Sequence, residues 1–169
     1  DEFAQALLPK LTALGLTVFF EPGRSIVANA GVLLTQVDVL KPTEHKNFAI
    51  VDAAMNDLIR PALYQAEMAV IPSILPENGI DTDGTQPWDI VGAICETGDF
   101  LAKDRLLSLA AGDILAITGA GAYGFTMSSN YNSRPRASEV MVADDSHQLI
   151  RKRETIEALY ADEVLWQGK

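Results

Sequence analysis

Apolar residues recur every three to four positions at Phe3, Leu7, Leu11 and Leu14, and Gly15 follows. That spacing predicts a helix over 2–14 with a glycine stop. TVFF at 17–20 is apolar without alternation, the texture of a strand buried on both faces in a helix-covered parallel sheet. It ends in a charged corner, EPGR at 21–24, after which Ser25 to Gly31 can start another helix. From residue 32 the texture changes. VLLTQVDVL alternates in part, KPTEH reads as a turn, and NFAIVDA as a strand; MNDLIRPALY is irregular. MAVIPSIL is a strand, PENGIDTDGTQP a polar loop, WDIVGAICE a strand and FLAKDRLLSLAAGD a connection. ILAITGAGAY is a strand, GFTMSSNYNS a glycine- and serine-rich stretch, and SEVMVAD the last clear strand. RKRETIEALYADEVLW predicts a closing helix, with Ile156, Leu159, Tyr160 and Val164 on one stripe.

Several short strands separated by turns predict a mainly β fold, a barrel or sandwich, over 31–169. Residues 1–30 do not belong to that pattern. A lone parallel-type strand can neither pair its backbone nor cover its faces. The simplest account makes 1–30 the last α–β–α piece of a larger α/β domain whose other strands lie outside this chain. In the alternative, TVFF joins the later sheet as an edge strand.

Composition narrows the chemistry. The 169 residues carry a formal net charge of −10, which argues against nucleic acid, since phosphate binding needs clustered Lys and Arg. The basic runs RPR at 134–136 and RKR at 151–153 are short, and RKR is expected on the solvated face of the closing helix. One cysteine, Cys95, excludes an internal disulfide and a cysteine zinc site. His45 and His147 lack ligand-like neighbours, so no metal is expected. No apolar run reaches the roughly 18–20 residues of a membrane span. DEFAQALL shows no secretion signal, and a reducing cytoplasm is the expected compartment.

With EPGR at 21–24, MNDLIRPALYQA at 55–66, CETGDFLA at 95–102 and GAYGFTMSSNYNSRPRASEV at 121–140, in this order and spacing, the chain resembles the C-terminal part of diaminopimelate decarboxylases. These belong to the pyridoxal-phosphate (PLP) decarboxylases of fold type III, the alanine-racemase-like group. The resemblance covers essentially the whole chain. It implies a TIM barrel that holds PLP, followed by a β-domain, with EPGR at the end of the eighth barrel strand, on the face where barrel enzymes keep their chemistry. The family's Schiff-base lysine and main phosphate loop lie upstream. The six lysines here (10, 41, 46, 103, 152 and 169) sit in no matching context, so this portion alone is not expected to be active.

The resemblance also assigns roles. Glu21 would stand beside the PLP pyridine nitrogen, where a carboxylate favours the proton that deepens the electron sink. Gly23 lets the backbone approach a ligand. Arg24, at a helix start, would meet the PLP phosphate and a substrate carboxylate. Arg60 and Tyr64, four apart after a helix-starting Pro61, would hold the distal carboxylate. Cys95 would deliver a proton as general acid, reaching into a neighbouring subunit's site. Glu96 would bind the distal ammonium, and Tyr123 would touch cofactor and substrate. Tyr131 is a weaker candidate, in a loop where Asn130, Asn132, Ser133 and Arg134 read as turn chemistry. From the residues alone, blander readings stand: a capping turn with a surface Arg–Glu pair, a snorkelling arginine, a packing thiol. The activity implied is decarboxylation of meso-2,6-diaminoheptanedioate to L-lysine by a homodimer with shared sites. The rivals are an ornithine, arginine or carboxyspermidine decarboxylase, or a non-catalytic β-domain that binds a partner.

Overall fold

The computed structural model describes residues 2–74 and 84–168. It is mainly β. Six strands, β1 (Val32–Pro42), β2 (Asn47–Val51), β3 (Val70–Pro72), β4 (Gln86–Val91), β5 (Phe100–Leu107) and β6 (Ile114–Thr118), form one sheet in the order β3-β6-β1-β2-β4-β5. All neighbours are antiparallel except β2 and β4, which run parallel. The sheet curls until its edges nearly meet, and the Arg105 guanidinium on β5 donates to the Met68 carbonyl just ahead of β3. Inside lie Val37, Ala49, Val51, Leu58, Val70, Trp88, Ile90, Leu101, Leu107, Leu115 and Ile117. The Trp88 indole N–H, itself inside, donates to the Leu107 carbonyl at 3.1 Å, so the core's largest side chain leaves no polar group unpaired.

Alternation explains β1 and β2. On β1 the buried positions are Thr35 and Val37, two apart, as a half-buried strand requires. The KPTEH turn forms as expected: Thr43 N–H donates to the Lys46 carbonyl at 3.0 Å, and Lys46 N–H donates to the Thr43 hydroxyl at 3.1 Å.

Four elements differ from the sequence reading. FLAKDRLL is strand β5, not a connection, and its charged middle has specific uses. Lys103 lies over the Phe100 ring at 4.2 Å, Asp104 N–H donates to the buried Asp89 carboxylate at 2.8 Å, and Arg105 closes the barrel. SHQLIR is also a strand, β8 (Ser146–Arg151), paired with β7 (Glu139–Ala143) in a separate hairpin. The RKR run therefore starts on a strand, where Arg151 pairs with Glu139 and covers the Phe125 ring at 4.4 Å. The closing helix is one turn, α4 (Ile156–Leu159), capped by Thr155, whose hydroxyl accepts the Ala158 N–H. MAVIPSIL contributes only the three residues of β3, and most of PENGIDTDGTQP lies outside the described residues.

The N-terminal part contains α1 (Glu2–Thr12), the 17–20 run and α2 (Arg24–Val27), which continues as a 3₁₀ turn over Ala28–Ala30. The 17–20 run pairs with no strand among the described residues, so it is not an edge of the later sheet. Its side chains face outward, with Phe19 89% exposed, and α1 buries none of its residues. An apolar run of this kind left in water is a surface that calls for cover.

Candidate active site

The EPGR corner is set by Gly23. This residue caps α2 with φ 57° and ψ −118°, a backbone that L side chains rarely adopt. Ser25 closes the turn, its hydroxyl donating to the Pro22 carbonyl at 2.9 Å. The side chains of Glu21 and Arg24 are exposed and make no hydrogen bond or ion pair among the described residues. They are not the surface pair that the blander reading of the corner supposes.

The corner is fastened to a loop almost a hundred residues later. Ala120 N–H donates to the Gly31 carbonyl at 2.9 Å, and Gly121 N–H to the Ala28 carbonyl at 3.0 Å. The backbones touch: a Cβ on Gly121 would lie 2.0 Å from the Val27 carbonyl oxygen, and one on Gly31 would lie 2.5 Å from the Gly121 Cα. Only glycine permits that approach. The loop then presents Tyr123, held at φ 60°, with its hydroxyl 3.3 Å from where a side chain at Gly23 would begin. Two motifs far apart in sequence thus meet, with a phenol beside a bare backbone and a free guanidinium next in the chain.

A second group sits on α3 (Arg60–Tyr64). Pro61 starts this helix, and Gln65 ends it in the left-handed region with its N–H on the Arg60 carbonyl. Arg60 and Tyr64 share one face by helical spacing. The opposite face, Pro61, Ala62, Gln65 and Ala66, lines a cavity of about 470 Å³ together with Thr97 and Gly98. Arg60 is half-buried and Tyr64 exposed, and neither has a partner among the described residues.

The third group is the loop after β4. Cys95 and Glu96 are both exposed there. Exposure argues against the buried packing thiol. One Glu96 oxygen accepts the Gly98 N–H at 3.3 Å, and the other meets the Tyr131 hydroxyl at 3.5 Å, so Tyr131, the weaker candidate, neighbours a stronger one.

No hydrogen bond or ion pair among the described residues joins the three groups directly. The turn that leads to α3 and the loop that presents Tyr131 are tied through Asn56, which the sequence reading did not single out, and Arg134, which it read as turn chemistry. The buried Asn56 donates to the Asp57 carboxylate and the Ser129 carbonyl, and its amide oxygen accepts from Arg134 Nε at 3.0 Å. Ser129 N–H returns a bond to the Asn56 carbonyl at 2.9 Å, and Arg134 also donates to the Asp52 carbonyl. Burial pushes the Asp57 carboxyl up, while the Ala54 N–H and Arg134 pull it back. Downstream, Glu154 accepts from Asn130 at 2.7 Å and from Arg136 N–H at 2.8 Å, and pairs with the Arg136 guanidinium. The loop SNYNSRPR is therefore the structured fastener expected of it, and Tyr131 is what it presents.

Residues 24–121 match the C-terminal sheet domain of the pyridoxal-dependent decarboxylases. The chain is 60% identical over 164 residues to the diaminopimelate decarboxylase of Pseudomonas aeruginosa, covering 97% of this chain and 38% of that one. A crystal structure from Aquifex aeolicus superposes with a TM-score of 0.84 at 48% identity, covering 96% of this chain and 40% of the other. The diaminopimelate decarboxylase of Helicobacter pylori, in complex with L-lysine, gives a TM-score of 0.80 at 45% identity, covering 95% of this chain and 38% of that one. The chain thus spans well under half the length of the relatives it matches. A nearly closed sheet, the glycine-built corner and this similarity agree: the chain belongs to the pyridoxal-dependent decarboxylase family, as its C-terminal sheet domain.

Proposed function

We propose that this chain is the C-terminal portion of a PLP-dependent carboxy-lyase that converts meso-2,6-diaminoheptanedioate to L-lysine and CO₂, working in the cytoplasm as a homodimer in lysine synthesis. In this reading residues 1–30 complete a cofactor-holding barrel and 31–169 form the β-domain. The observation that carries it is the junction of the corner with the Tyr123 loop, which brings a phenol to the Gly23 backbone between Glu21 and Arg24, whose side chains have no partner among the described residues.

The residues present fit one side of a PLP site. A carboxylate, a guanidinium, a phenol and a glycine with no side chain to intrude are the groups that a pyridinium nitrogen and a phosphate call for. Two of the lysines are engaged elsewhere: Lys46 is paired with the buried Asp89 at 2.9 Å, and Lys103 lies over Phe100. PLP, when bound, supplies an electron sink for the carbanion left by loss of CO₂.

The chain's own residues then divide the work. Glu21 holds the proton on the ring nitrogen, and Arg24 with Tyr123 binds anionic groups of cofactor and substrate. Arg60 and Tyr64 hold the distal carboxylate, and Glu96 takes the distal ammonium. Cys95, exposed at its loop, delivers a proton to Cα in the neighbouring subunit's site. The cavity-lining face of α3 is opposite the one that carries Arg60 and Tyr64, an arrangement that suits a site completed by two subunits.

The test is a substrate panel on the full-length protein loaded with PLP. CO₂ and L-lysine released from meso-2,6-diaminoheptanedioate, with little turnover of ornithine, arginine or carboxyspermidine, is the expected result. Preferential turnover of any of the others refutes the substrate, and no turnover of any refutes the reading.

A further inference from the structure

We propose that Asp99 is a positioning residue whose buried carboxylate locks the Cys95–Glu96 loop in register with the turn that runs into the Arg60–Tyr64 helix. The inference rests on the reading above, in which those four residues act on substrate.

Asp99 is 4% exposed and stands just ahead of β5. One carboxylate oxygen accepts the Met55 N–H at 2.7 Å, and the other accepts the Ile94 N–H at 2.9 Å. Its main chain is used as well: the carbonyl accepts from Gly92 N–H and the N–H donates to the Glu96 carbonyl, both at 3.1 Å. Ile94 immediately precedes Cys95. Met55 sits in the turn, closed by Leu58 N–H on the Ala54 carbonyl, that leads to α3. Among the described residues no other hydrogen bond joins the 92–99 loop to the 53–58 turn.

A carboxylate in such a place is an expensive packing group. Burial pushes the Asp99 carboxyl up, while the Ile94 and Met55 N–H groups and the Arg134 charge pull it back. Two N–H donors from segments forty residues apart are the natural reason for an acid there, since an anion accepts both at once. A second observation is independent of the charge. A Cβ on Gly92 would lie 2.3 Å from the Asp99 carboxylate and 2.6 Å from the Ala54 Cα. The chain has left out a side chain at the one point where the carboxylate passes between loop and turn.

The test compares Asp99→Asn, Asp99→Ala and Gly92→Ala in the full-length PLP-loaded protein, at a temperature where each is folded. Near-attack geometry tolerates little misplacement, and a shift of about 1 Å can lower rates on the order of 100-fold. Asp99→Ala and Gly92→Ala are expected to lower kcat/KM roughly 10- to 100-fold, in both kcat and KM, with PLP absorbance and retention unchanged. Asp99→Asn, which keeps one acceptor oxygen, is expected to fall between wild type and Asp99→Ala. Hydrogen exchange supplies a readout free of activity: the Met55 and Ile94 amides should lose protection together in Asp99→Ala, while β2 and β4 keep theirs. If the wild type turns over no substrate, the functional reading fails and the exchange result alone decides the lock. Wild-type kcat and KM in both Asp99 variants with only a lower Tm, activity lost through loss of PLP, or retained protection at Met55 and Ile94 would each overturn the proposal.

Discussion

Replacing Gly121 by alanine tests how the corner is built. The added Cβ would lie 2.0 Å from the Val27 carbonyl oxygen and 2.8 Å from Gly31 N, where ordinary contact begins at 3.4 Å. Both neighbours are backbone, so neither can swing aside. The α2 segment and the Tyr123 loop must separate, and the Gly121–Ala28 and Ala120–Gly31 hydrogen bonds lengthen or break. Each bond is worth about 0.5–1.5 kcal/mol net, and overpacking costs about 1–3 kcal/mol. The expected destabilisation is about 2–5 kcal/mol, concentrated at the corner. Because Tyr123 lies two residues on, PLP should dissociate more readily by roughly tenfold or more. Gly112→Ala is the control: unlike Gly121 it has a positive φ, 94°, but nothing lies within 4 Å of its new Cβ, so it carries backbone strain alone, about 1–2 kcal/mol. Urea denaturation and PLP titration of both variants in the full-length protein make the comparison. A Gly121→Ala protein with wild-type PLP affinity and a stability within about 0.5 kcal/mol of wild type would refute the account of the corner.

Glu96→Ala should raise KM for the diamino acid at least tenfold with a smaller change in kcat, and Cys95→Ser should do the reverse, lowering kcat; steady-state kinetics separates the two. Ile90→Ala, at a fully buried position on β4, should cost about 2–5 kcal/mol by urea denaturation. Glu154→Gln gives a pH signature. The Arg136 N–H and Asn130 amide hold the Glu154 carboxyl below its ordinary 4.5, so its contribution is present above that value and is lost as pH falls through the lowered folded value. The wild-type advantage over Glu154→Gln in urea midpoint should therefore be largest near neutrality and shrink toward pH 3. Asp57 and Asp99, raised by burial, run the other way, their contribution being full below 3.8 and lost as pH rises through the raised values. Both are common to the two proteins and cancel in the difference. An advantage that is flat with pH would show that the Glu154 charge contributes nothing.

What the sequence made legible follows from what each segment buries. Strands β1 and β2 alternate in burial, and β4 and β6 each bury three residues in a row, so their apolar runs show in the sequence. Strand β8 is exposed at all six positions, so no burial constrains its pattern, and RKR drew the reading toward a helix. Strand β5 was obscured by Lys103, Asp104 and Arg105, three charges in a row, each with its own partner: the Phe100 ring, Lys46 and the Met68 carbonyl. TVFF reads in sequence as a buried strand, yet among the described residues it pairs with no strand and its phenylalanines are exposed. The candidate groups at Glu21, Arg24, Arg60, Tyr64, Cys95, Glu96 and Tyr123 were named from the family resemblance; from the residues alone the blander readings stand. Asp99 and Asn56 were not found, and Arg134 was read only as turn chemistry; the reason is physical. They act on backbone N–H and carbonyl groups at Met55, Ile94, Ser129 and Asp52, which every residue but proline offers. A side chain that grips main chain leaves no complementary residue type for a reader of sequence to find. The sign it does leave is an empty one, the glycine that makes room for it: Gly92 beside Asp99. Where backbones must touch, as at the corner, the sign is a matched pair, Gly31 and Gly121. In this fold Gly31, Gly92 and Gly121, none with a positive φ, stand at joints between distant loops.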